Sequence, residues 1–291
     1  MSIIVFITEN PLCFVFISLL VGLLVGSFLN VVIYRLPIMM MNNWRREAKE
    51  ILEIAEETTS QTTFNLFLPA SSCPNCGHKI TALENIPIIS YCCLKGRCRE
   101  CHNPISKRYP LIELLTAILS GWLAWYYTAT PQALLIILLS WGLIAISMID
   151  IDYQIIPDTI VLPLLWIGLL ASLYNLLPNT SIKSSILGAV TGYMSLWIVN
   201  ALFKLIRGYD GMGNGDFKLL AMFGAWGGYQ ILPIVILFSA LAGTLIGIIS
   251  ICLFKGKNKF PFGPYLAIAG WIALIWGQVI IANYLKFSGI Q

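Results

Sequence analysis

The sequence predicts an all-α polytopic membrane protein of about eight transmembrane helices, with one polar, zinc-knuckle loop domain between the first and second spans. Of 291 residues, 58% are apolar and 11% charged, a balance that no soluble domain of this size could hide in its core. Runs long enough to cross ~30 Å of hydrocarbon as helices cover residues 11–34, 111–128, 132–149, 159–177, 185–206, 231–254 and 263–285. An eighth run, 217–229, is shorter and rich in glycine, and is either a further span or a partly inserted segment.

Orientation follows from the basic residues, which are retained on the cytoplasmic side of span ends. Ten of the 18 Lys and Arg lie between Arg35 and Arg108, which puts that loop inside and the N-terminus in the periplasm. Eight spans then place Lys204, Arg207, Lys218 and the run from Lys255 inside as well, and only Lys183 and Lys286 outside. The net charge of +4 expresses this bias, so the expected surroundings are inner-membrane lipid, with no nucleic acid as partner.

The first span, within residues 1–36, lacks the basic start of a secretory signal and runs on to Arg35, so it is read as a retained helix. Gly22, Gly26 and Ser27 would admit a closely packed neighbour, and Asn30 suits a packing or capping role. Residues 37–109 turn polar and form the one soluble module. There, NNWRREAKEILEIAEE reads as an exposed amphipathic helix with Trp44, Ala48, Ile51, Leu52 and Ala55 on one face. Contact of its charges with anionic headgroups is a secondary possibility.

Next, Cys73 and Cys76 are followed after 21 residues by Cys98 and Cys101. Two Cys-x-x-Cys knuckles at this separation point to a tetrahedral Zn²⁺ held by four thiolates. Four protein ligands leave no open position, so such a zinc is structural, bracing a loop too poor in apolar residues to fold firmly alone. His78 and His102 could substitute as ligands, though a supporting role suits them better. Cys92 and Cys93 fall outside the pattern as free thiols.

In residues 110–291, spans two and three meet at the external turn TATPQ. Glu113 reads as a carboxylate favoured by the helix N-terminus, and Trp122, Trp125, Tyr126 and Tyr127 as an interfacial aromatic belt. All five Asp residues fall in two segments, SMIDIDYQIIPD and the stretch around GMGNGDFKLL. Asp150 directly ends an apolar run and Asp216 directly precedes one, so both are expected at the hydrocarbon edge, where a carboxylate is by default functional. The bland reading of Asp216 is an N-cap after a glycine turn. Asp152 lies further toward water. Asp158, beside Pro157, is divided between helix-start chemistry and a role near the pair, and Asp210 belongs to an exposed loop.

Two such carboxylates can hydrolyse a peptide when one, ionised, takes a proton from water and the other, protonated, donates to the carbonyl oxygen. Gly211, Gly213 and Gly215 would let an extended substrate lie close to Asp216, and a site at the membrane boundary admits water to an unwound substrate helix. Two rival readings are a cation- or proton-coupled transporter using Asp150 and Asp216, and a zinc-bearing assembly factor without catalysis.

The motifs GSFLNVVIYRLP, CPNCGHKI, ENIPIISY, CRECHNPISKRYPLIE, IDIDYQIIPD, GMGNGDFKLLAMFGAWGG and FGPYLAIAGW, spread over nearly the whole chain, make it resemble the bacterial prepilin peptidases. These are bifunctional leader peptidases and N-methyltransferases of type IV prepilins and type II pseudopilins. The resemblance implies that Asp150 and Asp216 are the catalytic pair of a Gly-x-Gly-Asp aspartyl protease, which cuts after the glycine ending a short basic leader. It further implies methylation of the new N-terminus with S-adenosylmethionine as donor. Cys73, Cys76, Cys98 and Cys101 match the family's knuckles and Gly96 a position associated with methyl transfer. Residues 37–109 then become the methyltransferase-associated domain and 110–291 the seven-span protease domain. No glycine-rich nucleotide fingerprint is present in the loop.

Overall fold

A computed structural model describes residues 10–53, 64–254 and 261–289. Among the described residues the chain is helical, with two isolated β-bridges. The helices are α1 (Pro11–Ile51), α2 (Ile89–Cys93), α3 (Arg108–Tyr127), α4 (Pro131–Tyr153), α5 (Asp158–Leu173), α6 (Ile182–Arg207), α7 (Asn214–Gly227), α8 (Leu232–Phe254) and α9 (Gly263–Phe287). Among the described residues five segments, α1, α4, α6, Tyr229–Ile249 and α9, are long and apolar enough to cross a membrane, and the protein is a multi-pass membrane protein. The remaining expected runs are also helical, but α5 has 16 residues and α7 only 14. At ~1.5 Å per residue α7 rises about 21 Å, short of a ~30 Å hydrocarbon layer.

The chain forms two compact units, Met1–Ala145 and Ile146–Gln291, with α4 running through the boundary. In the first, α1 packs along α3. The glycines expected to admit a neighbour do so: a Cβ on Gly22 would lie 2.8 Å from Ala117 Cα, and one on Gly26 would lie 2.7 Å from Glu113 Cα. In lipid, where apolar burial drives little association, such close backbone approach supplies the attraction. Asn30 Nδ2 donates to Gly26 O and, across to the start of α3, to Tyr109 O, both at 3.2 Å.

One expectation fails here. α1 does not end near residue 34 with a separate amphipathic helix after it; it continues without a break through Pro37 to Ile51. Proline deletes one ladder bond and crowds the preceding turn, yet the helix accommodates it. Trp44, Ile51 and Leu52 are exposed, and Ala55 lies outside the described residues.

The second unit is built around α7. Every side chain from Asp216 to Trp226 except Lys218 is buried, the signature of a helix enclosed by protein on all sides. α6 packs against it at Gly188, where a Cβ would strike the Gly224 carbonyl. Its last carbonyls, which no helix can satisfy internally, accept from neighbours: Ala225 O from the Ser185 hydroxyl and Trp226 O from Thr180 Oγ1. Trp226 Nε1 donates to Leu164 O of α5 at 2.9 Å. Interhelical bonds of this kind average about 0.6 kcal/mol in membranes, so several are needed to fix the short helix.

Candidate active site

α7 begins where the GMGNGD turn ends, and the turn is organised from α6. The buried Asn200 accepts from Gly211 N (2.9 Å) and Met212 N (3.1 Å) through Oδ1, and donates from Nδ2 to Asp210 (3.1 Å). Asp210 also accepts from Lys204 Nζ at 2.9 Å. The Lys204 ammonium and then the Asn200 amide hold the Asp210 carboxyl below the usual carboxylate range. Asp210 therefore shapes the loop, as expected of it, and Asn200 is a residue that sequence reasoning missed; a polar side chain inside a span's last turns was its signal.

Gly213 is the N-cap of α7, and Asp216 lies inside the first turn. The N-cap reading of Asp216 is thus corrected: no side chain caps this helix, and Asp216 Oδ1 is buried with no hydrogen-bond partner. Asp216 N donates to Gly213 O at 3.1 Å. Asp150, 5% exposed in the last turn of α4, receives the Gly263 N–H on Oδ2 at 2.9 Å. Gly263 opens α9, whose first N–H groups have no partner within the helix and carry its positive end. Glycine is required there, since a Cβ would lie 2.7 Å from Asp150 Oδ2.

The two acids belong to one cluster. Ile156 packs beside the glycine next to each of them, Gly215 before Asp216 and Gly263 against Asp150. A Cβ on Gly215 would meet Ile156 Cβ at 2.7 Å, and one on Gly263 would meet Ile156 Cδ1 at 3.2 Å. Of the three turn glycines, Gly211 is packed on the Phe203 ring and Gly215 on Ile156, whereas a Cβ on Gly213 would meet only Asp216 Oδ2, at 3.7 Å. Asp158 is exposed and accepts from Lys218 Nζ at 2.8 and 2.6 Å, tying the start of α5 to that of α7. Asp152 is exposed on the last turn of α4. The start of the last span thus contributes to the cluster, through the Gly263 N–H.

The four knuckle cysteines converge in the first unit, their sulfurs within 4.8 Å of one another. Cys73 Sγ lies 3.8 Å from Cys101 Sγ, and Cys76 Sγ 3.9 Å from Cys98 Sγ. Four sulfurs ~2.3 Å from a central ion would form a tetrahedron with edges of about 3.8 Å, so the donor set fits. The knuckles repeat one backbone design: Cys73 N donates to His78 O and Gly77 N to Cys73 O, while Cys98 N donates to Asn103 O and His102 N to Cys98 O. Backbone N–H groups at Asn103 bring the Cys101 thiol down to about 6. The His78 N–H also favours the Cys76 thiolate, yet desolvation and the three neighbouring sulfurs lift Cys76 to about 12, a repulsion that a bound dication relieves.

His78 is no ligand. It faces Glu84 (3.2 Å) and Glu100 (3.7 Å), and Glu84, bound also by the Thr81 N–H and Arg99, is held at about 2, the Thr81 N–H contributing most. Cys92 and Cys93 are exposed free thiols. Gly96 adopts φ +67°, and the face a side chain would occupy is filled by Tyr91, whose hydroxyl would stand 2.8 Å from the added carbon. That face offers no open cradle for a ligand. Glu113, expected as a helix-start carboxylate, is buried and accepts from Ile88 N at 2.8 Å.

Residues 20–127 match the family model described as the bacterial peptidase A24 N-terminal domain, and residues 137–248 match that of the type IV leader peptidase family. A prepilin leader peptidase/N-methyltransferase of Pseudomonas aeruginosa is 54% identical over 98% of each chain. Proteins of the same name from Aeromonas hydrophila (50% identity, 91% of this chain and 92% of the relative) and Neisseria gonorrhoeae (48%, 88% of each) are also similar. No solved structure matches. The chain belongs to the type IV leader peptidase family, and nothing in these comparisons supports the transporter reading.

Proposed function

We propose that this chain is an aspartyl endopeptidase of the bacterial inner membrane that removes the short basic leader of type IV prepilins or type II pseudopilins after a glycine, then methylates the new N-terminus. The observation that carries the reading is the buried, unpartnered Oδ1 of Asp216, in one Ile156-lined cluster with Asp150. A buried polar atom without a partner is costly and rare, and here a second buried acid belongs to the same cluster, so a water held between them can serve both.

Asp150 Oδ2 accepts the Gly263 N–H, which fixes the orientation of that carboxyl. The pair works with one acid ionised and the other protonated. In the reaction one carboxylate takes a proton from water, which attacks the scissile carbonyl, while the protonated partner donates to the carbonyl oxygen. As the C–N bond of the resulting gem-diol breaks, the acid that took water's proton gives it to the leaving amine. The other takes back a proton from a diol hydroxyl, which restores the pair. The open face of Gly213 is where substrate backbone can approach Asp216, and the Asp158–Lys218 pair steadies the first turn of α7.

The orientation proposed puts the N-terminus in the periplasm and both aspartates and the cysteine loop at the cytoplasmic face, the side on which basic residues are retained and a prepilin leader resides. Cys73, Cys76, Cys98 and Cys101 would hold a structural Zn²⁺, which neutralises their repulsion and ties the loop together. Methyl transfer, with S-adenosylmethionine supplying the methyl group, is supported by the relatives' name. Gly96, whose turn packs on Tyr91, is the loop position assigned to it on the resemblance.

The test is incubation of the purified chain with a prepilin and S-adenosylmethionine, read by mass spectrometry. Loss of the leader mass together with gain of one methyl group on the new N-terminal residue is expected; an unaltered prepilin mass defeats the proposal.

A further inference from the structure

The segment Phe64–Pro69 belongs to the polar loop region, yet two of its side chains stand open: Phe67 is 78% and Leu68 54% exposed. Its backbone is closed in a way that a water-facing loop does not need. Asn65 N donates to Leu68 O at 2.8 Å, and Asn65 Oδ1 accepts from both Phe67 N (2.8 Å) and Leu68 N (2.6 Å). The carbonyls of Asn65, Leu66 and Pro69 accept from a single guanidinium, that of Arg35, which is 7% exposed and lies 5.7 Å from the Phe64 ring.

Its position along α1 completes the picture. Phe67 stacks on Phe28, with ring centroids 6.5 Å apart and planes at 28°. Phe28 precedes Arg35 by two helical turns, about 10 Å toward the apolar end of α1. It continues the exposed row Leu12, Phe16, Leu20 and Leu24, whose four-residue spacing marks one face of the helix. The loop thus leaves the level of Arg35 and folds back along the face of α1 that meets lipid.

We propose that Phe64–Pro69 is a membrane-inserting loop whose Phe67 and Leu68 side chains lie among lipid acyl chains beside α1. Irregular backbone enters hydrocarbon only when its polar groups are satisfied by protein, and Asn65 and Arg35 take up three N–H groups and the carbonyls of Asn65, Leu66, Leu68 and Pro69. Arg35 sits at the interface end, its charge shared among carbonyls while its stem follows α1. The lipid-facing surface of α1 is continuous with the loop, which favours lipid as occupant over a second chain or a substrate helix.

The experiment places a benzophenone amino acid at position 67 of the full chain in nanodiscs of phosphatidylethanolamine and phosphatidylglycerol, with a prepilin present. A control carries it at Leu83, which is 77% exposed in the same unit but lacks such a backbone. After irradiation, mass spectrometry should find lipid adducts on the peptide at 67 in several-fold excess over that at 83. Equal yields, or adducts to a second copy or to the prepilin, overturn the proposal. A probe at Leu68, with the same expected and overturning outcomes, is used should the variant at 67 fail to fold. No readout depends on catalysis, so failure of the peptidase assignment leaves this test standing.

Discussion

Glu113 in the first unit and Asp216 in the second are both carboxylates 8% exposed on apolar helices, and they are treated in opposite ways. Glu113 accepts the N–H of Ile88 at the start of α2, so its burial closes a turn. Asp150 does likewise for Gly263. Asp216 keeps an oxygen without a partner. One accepted backbone N–H is thus common to the structural Glu113 and to Asp150; what sets the aspartate site apart is the open oxygen of Asp216 in the same cluster as a second acid.

The largest effect should come from removing the open acid or its neighbour. Asp216→Asn and Asp150→Asn are expected to lower leader cleavage by roughly 10²–10⁴-fold, the range that acid–base groups supply, while metal content and thermal unfolding stay near those of the parent. Gel assays of prepilin processing measure the first; mature pilin accumulating at parental rates with either variant would break the contrast between the two kinds of buried acid.

The cysteine cluster provides the reverse case. Cys73→Ser with Cys98→Ser removes one thiolate from each knuckle and should take zinc from about one per chain, as a four-ligand site requires, to near none by elemental analysis. Leader cleavage is expected to persist, because among the described residues both aspartates make their hydrogen bonds within the second unit. Cleavage lost in step with zinc would show that the two sites are not separable.

Glu113→Ala should act on stability and leave the chemistry alone. Leaving the Ile88 N–H unpaired costs about 1–3 kcal/mol, read as a lower unfolding midpoint in detergent, with kcat for cleavage unchanged. A collapse of kcat at parental stability would make Glu113 a reactive group after all.

How much of this was legible in the sequence depends on range. The apolar runs, bounded by Pro, Gly and charge, marked the long helices because hydrophobic length is a local property. The knuckles were equally plain, since each pair of cysteines is set by its own turn. What could not be read was pairing across the chain: Asp150 with Gly263, Asp158 with Lys218, Asn200 with the glycine turn. Nothing local distinguishes Lys218 as a partner of Asp158 from a solvated lysine. Likewise the continuation of α1 through Pro37 overrides a residue that ordinarily ends helices, and α7 was ambiguous because a 14-residue apolar helix is as fit for a protein core as for a membrane.

The smallest change tests the geometry of the open acid most finely. Gly213 has φ −76° and ψ 144°, which alanine adopts without strain, and its Cβ would make an ordinary 3.7 Å contact with Asp216 Oδ2. Gly215 and Gly263 have no such room. Gly213→Ala should therefore shift stability by no more than about 1 kcal/mol, the scale of an N-cap exchange. If substrate backbone lies over Gly213, the added methyl weakens binding before and during reaction alike. KM should then rise, by up to about tenfold or ~1.4 kcal/mol, with kcat nearly constant. A fall in kcat at unchanged KM would mean that the methyl disturbs Asp216 itself, and that the substrate approaches the pair from another side.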